Sequence, residues 1–173
     1  MYLTLFDSNQ DLCKEWERCF RDIPKVRIVH SYLESLQPHV CLVTAGNSFG
    51  IMDGGIDLAV RNMFGVQLQD SVQWVIAHRF NGLLPVGKCI IVPTHHRKFP
   101  NLIYAPTMVT PQSIPAENVY NCFKSILNSV PDDYDIDIAC CGLGSLTGKL
   151  PYKVVAETML SAYVDFKYRK VSN

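Results

Sequence analysis

Short apolar runs alternate with longer stripes of apolar residues along the chain. Continuous or period-two apolar runs indicate strands, and apolar residues three or four positions apart indicate helices. Strands are predicted at residues 2–6, 26–30, 40–45, 89–93, 102–105 and 136–141. Helices are predicted after Ser8 as N-cap, over stripes beginning at Ile56 and Leu68, from Pro115, and over 152–168.

Strands that alternate with helices are typical of an α/β domain. The strand at 40–45 has no polar alternation, which favours burial on both faces of a largely parallel sheet. We therefore expect one three-layer α/β/α domain over residues 1–173, with a largely parallel or mixed central sheet.

Composition narrows the class of protein. The 173 residues are 48% hydrophobic and 18% charged, with 16 basic and 16 acidic side chains. This balance excludes a disordered chain and a protein that binds nucleic acid through bulk positive charge. No apolar run approaches the ~18 residues of a membrane-spanning helix, and the first ten residues lack the pattern of a signal peptide. No membrane contact is expected.

Seven cysteines are scattered along the chain without the spacing of a metal site. There is no Cys-x-x-Cys pair, and adjacent Cys140 and Cys141 would point to opposite faces of a strand. We expect free thiols, no bound metal or cofactor, and a reduced intracellular location, in the cytoplasm or the nucleus.

Two glycine-rich loops, at residues 44–57 and 141–151, leave predicted strands and enter predicted helices. In open α/β sheets, ligands bind outside the carboxyl ends of the strands. Glycine lets the backbone approach a ligand, and a helix N-terminus offers unpaired N–H groups with a partial positive charge. One such loop is often only a tight turn. Two at the same sheet edge predict a phosphate-binding pocket.

The second loop does not fit the common nucleotide-binding motifs. A P-loop would need glycine at Leu143 and serine or threonine at Leu150, and a dinucleotide fingerprint would need glycine at Thr147. A looser glycine pattern keeps an NAD(P)-dependent oxidoreductase as the weakest alternative. Its glycines are Gly142, Gly144 and Gly148.

The first loop resembles the first ligand loop of the macro domain family, which binds ADP-ribose. The family pattern N-A-A-N, followed by G-G-G-[VI]-D and a helix, stands here as TAGN at 44–47 and DGGID at 53–57. The loop at 141–151 resembles the family's other phosphate loop, and residues 103–107 resemble the strand end between the two. These pieces extend the resemblance over about residues 26–168.

The sequence departs from the family pattern in four places. Thr44 replaces the first asparagine, Arg61 replaces a frequent histidine, and residues 145–148 replace an S-T-G core. The aspartate that often holds adenine is absent after the second strand, where residues 30–32 read HSY. Asp7, at the end of the first strand, is the candidate for that role.

The resemblance implies roles for two polar residues. Asn47 would bond the hydroxyls of the distal ribose, and Asp57 would orient or deprotonate a water at the anomeric carbon. Each also has a structural explanation, because Asn47 can close a turn and Asp57 can stabilise a helix N-terminus. The candidate catalytic residues are Asp57 and Asn47. The candidate ligand-binding residues are Ala45, Gly46, Asn47, Ser48, Gly54, Gly55, Ile56, Pro106, Gly142, Leu143, Gly144, Ser145, Leu146, Thr147 and Gly148.

Two functions follow from the resemblance. The leading expectation is a hydrolase that removes ADP-ribosyl groups from proteins, or a phosphate or acyl group from the 1'' position of ADP-ribose. The alternative is a non-catalytic module that recognises ADP-ribose, and the altered positions Thr44 and Leu146 favour it. The expected partners are ADP-ribose, or a related nucleotide diphosphate-sugar, and ADP-ribosylated protein.

Overall fold

The computed structural model describes residues 1–131 and 135–171, which form six strands and five α-helices. The strands are β1 (Tyr2–Asp7), β2 (Val26–His30), β3 (Cys41–Asn47), β4 (Ile90–Pro93), β5 (Asn101–Met108) and β6 (Asp137–Cys141). The helices are α1 (Gln10–Phe20), α2 (Gly55–Phe64), α3 (Val66–Phe80), α4 (Ala116–Asn128) and α5 (Tyr152–Val171). A single 3-10 turn, Leu33–Ser35, follows β2.

All six strands join one sheet in the order β2-β1-β6-β3-β5-β4. Every pairing is parallel except that of β4 with β5, which is antiparallel and lies at the edge of the sheet. The prediction of a largely parallel, mixed sheet is therefore confirmed. Because β1, β2, β3, β5 and β6 run in the same direction, their carboxyl ends meet at one edge of the sheet.

The core lies between the sheet and two groups of helices. In β3, residues 41–44 are all buried, as expected of a central strand covered on both faces. Helices α1 and α4 both pack against α5, while α2 and α3 pack against each other. This confirms the α/β architecture expected from the alternating pattern.

Two predicted helix starts are wrong by one residue. The N-cap of α1 is Asn9, not Ser8, because the Asn9 side chain accepts hydrogen bonds from the N–H groups of Asp11 and Leu12. Pro115 is the N-cap of α4 rather than a residue of its first turn, and it has extended backbone angles. The first-turn position belongs to Ala116.

The central strands extend further than predicted. Strand β3 continues to Asn47 and β5 continues to Met108, so Gly46 and Asn47 belong to the sheet rather than to the loop. The parallel register shifts between Gly46, which pairs with Pro106, and Asn47, which pairs with Met108.

All seven cysteines are free thiols, and five of them are buried. Over residues 1–131 and 135–171, no helix is long and apolar enough to cross a bilayer. In the same part of the chain, no group of three or more His, Cys, Asp or Glu side chains is arranged to hold a metal ion.

Candidate ligand-binding site

A cavity of about 340 Å³ lies at the carboxyl edge of the sheet. It forms there because the loops that follow parallel strands converge on one edge. Its lining residues are 6–8, 31–34, 45, 54–56, 59, 107–108, 141–142 and 144–148. Both glycine-rich loops predicted from the sequence therefore contribute to one cavity.

The first loop presents the N-terminus of α2 to the cavity. Gly54 is the N-cap in an extended conformation, and a Cβ atom added to it would meet no atom within 4 Å. Gly55 has φ of +53°, a conformation that other residues rarely adopt. The first turn of a helix leaves N–H groups without helical acceptors, so residues 54–56 offer backbone donors to the cavity.

The second loop is a compact turn before α5. The N–H of Leu150 donates to the carbonyl of Gly144 at 3.1 Å, and the N–H of Lys149 donates to that of Leu146 at 3.0 Å. The Ile114 N–H donates to the Gly148 carbonyl at 3.1 Å and ties the loop to the segment before α4. These bonds hold residues 144–148 along the cavity opposite α2.

The two loops approach each other across the cavity. A Cβ atom built on Gly55 would lie 3.8 Å from Cδ1 of Leu146, and the Leu146 side chain is 68% exposed. One glycine-rich loop therefore lies on each side of the cavity, and Leu146 borders the opening.

The part of the cavity formed by the end of β1 and the segment after β2 is acidic and aromatic. Asp7 and Glu34 line it together with Ser31 and the exposed ring of Tyr32. The carboxylate of Asp7 accepts the N–H of Asn9 at 2.8 Å. Burial raises the pKa of Asp7, although backbone N–H bonds act in the other direction.

The sequence suggested Asp7 as the residue that holds adenine, but it did not suggest the neighbours of Asp7 in the cavity. Strands β1 and β2 are paired so that Asp7 lies beside His30, which places Ser31 and Tyr32 next to the cavity. The available signal was position alone, because these residues directly follow a predicted strand at the ligand-binding edge.

Asn47 closes a turn. Its Oδ1 accepts the N–H groups of Phe49 at 3.0 Å and Ile51 at 3.3 Å, and its Nδ2 donates to the Ile51 carbonyl at 2.7 Å. The side chain is buried and lies outside the set of residues that line the cavity. Both polar atoms of the side chain are thus engaged within the loop, and its contact with a ribose stays a prediction.

Asp57 lies in the first turn of α2 but faces inward. It is 4% exposed, and the hydroxyl of Thr44 donates to its Oδ1 at 2.5 Å. The pKa of Asp57 is raised to about 8, chiefly by burial; the Thr44 bond acts to lower this pKa, and nearby Asp53 acts to raise it. The carboxyl is therefore mostly protonated at neutral pH, and it is not among the groups that line the cavity.

The other candidate residues divide into two groups. Those that line the cavity are Ala45, Gly54, Gly55, Ile56, Gly142, Gly144, Ser145, Leu146, Thr147 and Gly148. Those buried beneath it are Gly46, Ser48, Pro106 and Leu143. Beyond the candidates, Thr107 and Met108 line the cavity because β5 continues past the predicted strand end.

The Macro domain family matches residues 43–159, so this chain belongs to the macro domain family. An uncharacterized protein of Aquifex aeolicus (strain VF5) is 24% identical over 145 residues, which cover 82% of each chain.

Solved structures of macrodomains share the fold. The macrodomain of Mycobacterium tuberculosis DarG superposes with a TM-score of 0.66 at 19% identity, covering 78% of this chain and 87% of its own. A variant of the Oceanobacillus iheyensis macrodomain with ADPR (ADP-ribose) gives a TM-score of 0.64 at 20% identity, with 73% and 70% covered. That variant of the Oceanobacillus macrodomain therefore binds ADP-ribose.

Proposed function

We propose that this chain binds ADP-ribose, free or attached to a protein, and recognises it without hydrolysis by Asp57. The observation that carries the proposal is the pair of loops at the N-termini of α2 and α5, which face each other across one cavity. A diphosphate between them would meet backbone N–H groups of both loops and the positive end of the α2 dipole.

The charges in the cavity favour one orientation of the ligand. Among its described lining residues there is no lysine or arginine, so backbone amides are the donors for the phosphates. The carboxylates of Asp7 and Glu34 disfavour a phosphate beside them and can accept hydrogen bonds from an exocyclic amino group. The base therefore belongs beside Asp7, and the distal ribose lies toward Ala45 and Met108.

The ribose end of the cavity lacks a general base, which favours a reader module over a hydrolase. Hydrolysis at the anomeric carbon requires a group within reach that can take a proton from water. The titratable side chains on the described lining are Asp7, Tyr32, Glu34 and Cys141. The first three lie on the side proposed for the base, and burial raises the pKa of the Cys141 thiol to about 12.

Calorimetric titration with ADP-ribose tests binding, with Gly54→Asp and Gly54→Ala as a matched pair. Gly54 has room for a side chain and ordinary backbone angles, so both variants fold. The carboxylate of Gly54→Asp would bind the α2 amides that the phosphate needs. We expect about tenfold weaker binding or more, because unit charges ~4 Å apart repel by roughly 1–4 kcal/mol.

Gly54→Ala adds only a methyl group and keeps most of the affinity. AMP and NAD serve as comparison ligands, and tighter binding of NAD than of ADP-ribose would favour an oxidoreductase. Equal affinities for the aspartate and alanine variants would show that the ligand does not use the α2 amides.

Incubation with a protein carrying ester-linked mono-ADP-ribose tests catalysis. We expect retention of the modified protein by the purified chain and no release of ADP-ribose. Release that is abolished by Asp57→Ala would establish the hydrolase instead.

A further inference from the structure

We propose that Asp57 is a positioning residue that acts in its protonated form. Through Thr44 it fixes the first turn of α2 to the end of β3, and so holds residues 54–56 where they can bind a diphosphate. This inference rests on the proposed function and adds a pH limit to it.

A short hydrogen bond joins the strand to the helix. Thr44 Oγ1 lies 2.5 Å from Asp57 Oδ1, and neither residue is more than 4% exposed. Thr44 is in β3 and Asp57 is two residues beyond Gly55, in the same helical turn. Displacing the Asp57 side chain would therefore move the backbone amides that face the cavity.

The second carboxyl oxygen packs against the end of β3. A Cβ atom built on Gly46 would lie 2.5 Å from Asp57 Oδ2 and would also collide with the hydroxyl of Tyr104. That hydroxyl donates to the carbonyl of Asn47 at 2.8 Å and accepts its N–H at 3.1 Å. Asp57, Gly46 and Tyr104 thus fill one buried space where β3 leaves the regular ladder.

Among the described residues, no cation pairs with the carboxyl of Asp57. The groups that face it are the Thr44 hydroxyl from β3, the Tyr104 hydroxyl from β5, the Cys141 thiol from β6 and the carboxyl of Asp53. On α2 itself, Arg61 directs its guanidinium to Gln69 Oε1 at 3.5 Å.

Ionisation of Asp57 would therefore leave a buried charge without a cation, directly behind the anion-binding turn. Such a charge is costly to bury, so its surroundings rearrange or admit water. It also lies on the side of α2 opposite the diphosphate and repels it. Both effects weaken ligand binding as the pH rises.

The test is calorimetry with ADP-ribose between pH 7 and pH 9, on the wild type, Asp57→Asn and Asp53→Asn. ADP-ribose has no group that titrates in this interval. With a pKa of about 8 for Asp57, the fraction of protein in which Asp57 is protonated falls about tenfold from pH 7 to pH 9. If only this form binds, the apparent Kd rises by the same factor.

The two variants separate this effect from other titrations. Asp57→Asn cannot ionise and its amide oxygen still accepts from Thr44, so we expect a flat profile. Asp53 is exposed and outside the cavity lining, so Asp53→Asn keeps a pH-dependent affinity. Because Asp53 raises the pKa of Asp57, the midpoint of this profile moves to lower pH.

The outcomes distinguish the inference from the proposed function. Absence of binding at pH 7 by the wild type would refute ADP-ribose recognition itself. Binding at pH 7 with a flat wild-type profile, or with the same slope in Asp57→Asn, would refute only the role of Asp57.

A measurement on the wild type covers the case in which Asp57→Asn does not fold. The carboxyl carbon chemical shift of Asp57 gives its pKa by NMR with and without ADP-ribose. Linkage is reciprocal, so a ligand that requires the protonated form must raise this pKa further. An unchanged pKa on binding would overturn the inference.

Discussion

At the scale of single residues, the carboxyl of Asp57 couples folding to pH. Its ordinary pKa is 3.8, and burial raises the pKa in the folded protein to about 8. Between these values the folded state binds more protons than the unfolded state. The contribution of this group to stability is therefore greatest at acidic pH and is lost as pH rises toward 8.

Asp57→Asn should remove this pH dependence. We expect the wild type to lose more stability than the variant between pH 5 and pH 8, so that the variant is the more stable protein at pH 8. Urea unfolding at several pH values measures the difference, with Asp53→Asn as the control for a nearby exposed carboxyl. Parallel stability curves for the wild type and Asp57→Asn would contradict the expectation.

The sequence predicted which loops form the cavity but not which way two polar side chains point. The glycines and the strand-to-helix order indicate a ligand loop, since both are local signals. The orientation of Asp57 depends on Thr44, thirteen positions away, and that of Asn47 depends on the path of residues 49–51. Such contacts are set by the packed structure, and no local pattern contains them.

At the scale of elements, either of two neighbouring residues could serve as the N-cap of α1. Ser8 and Asn9 are both good N-caps. The backbone of Asp7 is still part of the sheet, since its carbonyl accepts the N–H of Ser31 at 3.0 Å. Asn9 is then placed to cap the helix, and its Nδ2 also donates to the hydroxyl of Tyr152 at 2.8 Å.

Asn9→Ala should therefore destabilise the protein, whereas Ser8→Ala should not. We expect a loss of about 1 kcal/mol for Asn9→Ala from the missing cap. Denaturant unfolding provides the measurement. Tyr152→Phe separates the bond to α5 from the cap itself, and a larger loss in Ser8→Ala than in Asn9→Ala would contradict the structure.

The strands and helices were largely predictable because most have clear periodicity. The ends of the strands were less predictable, as β3 and β5 show. Their pairing continues through Gly46 and Pro106, two residue types that usually mark turns. The partner strand decides where such a strand ends, and a partner sixty residues away leaves no local signal.

At the scale of the whole molecule, the free thiols report on global unfolding. Cys19 and Cys89 are partly exposed and the other five cysteines are buried. Burial also raises the pKa of the Cys122 and Cys140 thiols well above its ordinary value, which further reduces their reactivity. The location of the protein inside the cell stays a prediction.

A thiol reagent applied to the native protein should therefore react quickly with at most two groups. Modification of the remaining five should follow the rate of unfolding and should slow when a ligand stabilises the fold. Ellman's reagent measures both phases, and Cys19→Ser and Cys89→Ser should each reduce the fast phase. Fast modification of all seven thiols would contradict the burial of these five cysteines.

The proposed use of backbone amides at the cavity has a consequence for how this chain can diverge. Every residue except proline carries an N–H donor, so positions 145–147 can change identity without losing the groups they offer to an anion. What mutation must preserve at these loops is the set of dihedral angles, as at Gly55 and Gly144 with their positive φ. Side chains in these loops can therefore change while the pocket stays the same. A comparison of loop sequences alone then underestimates how closely two such sites are related.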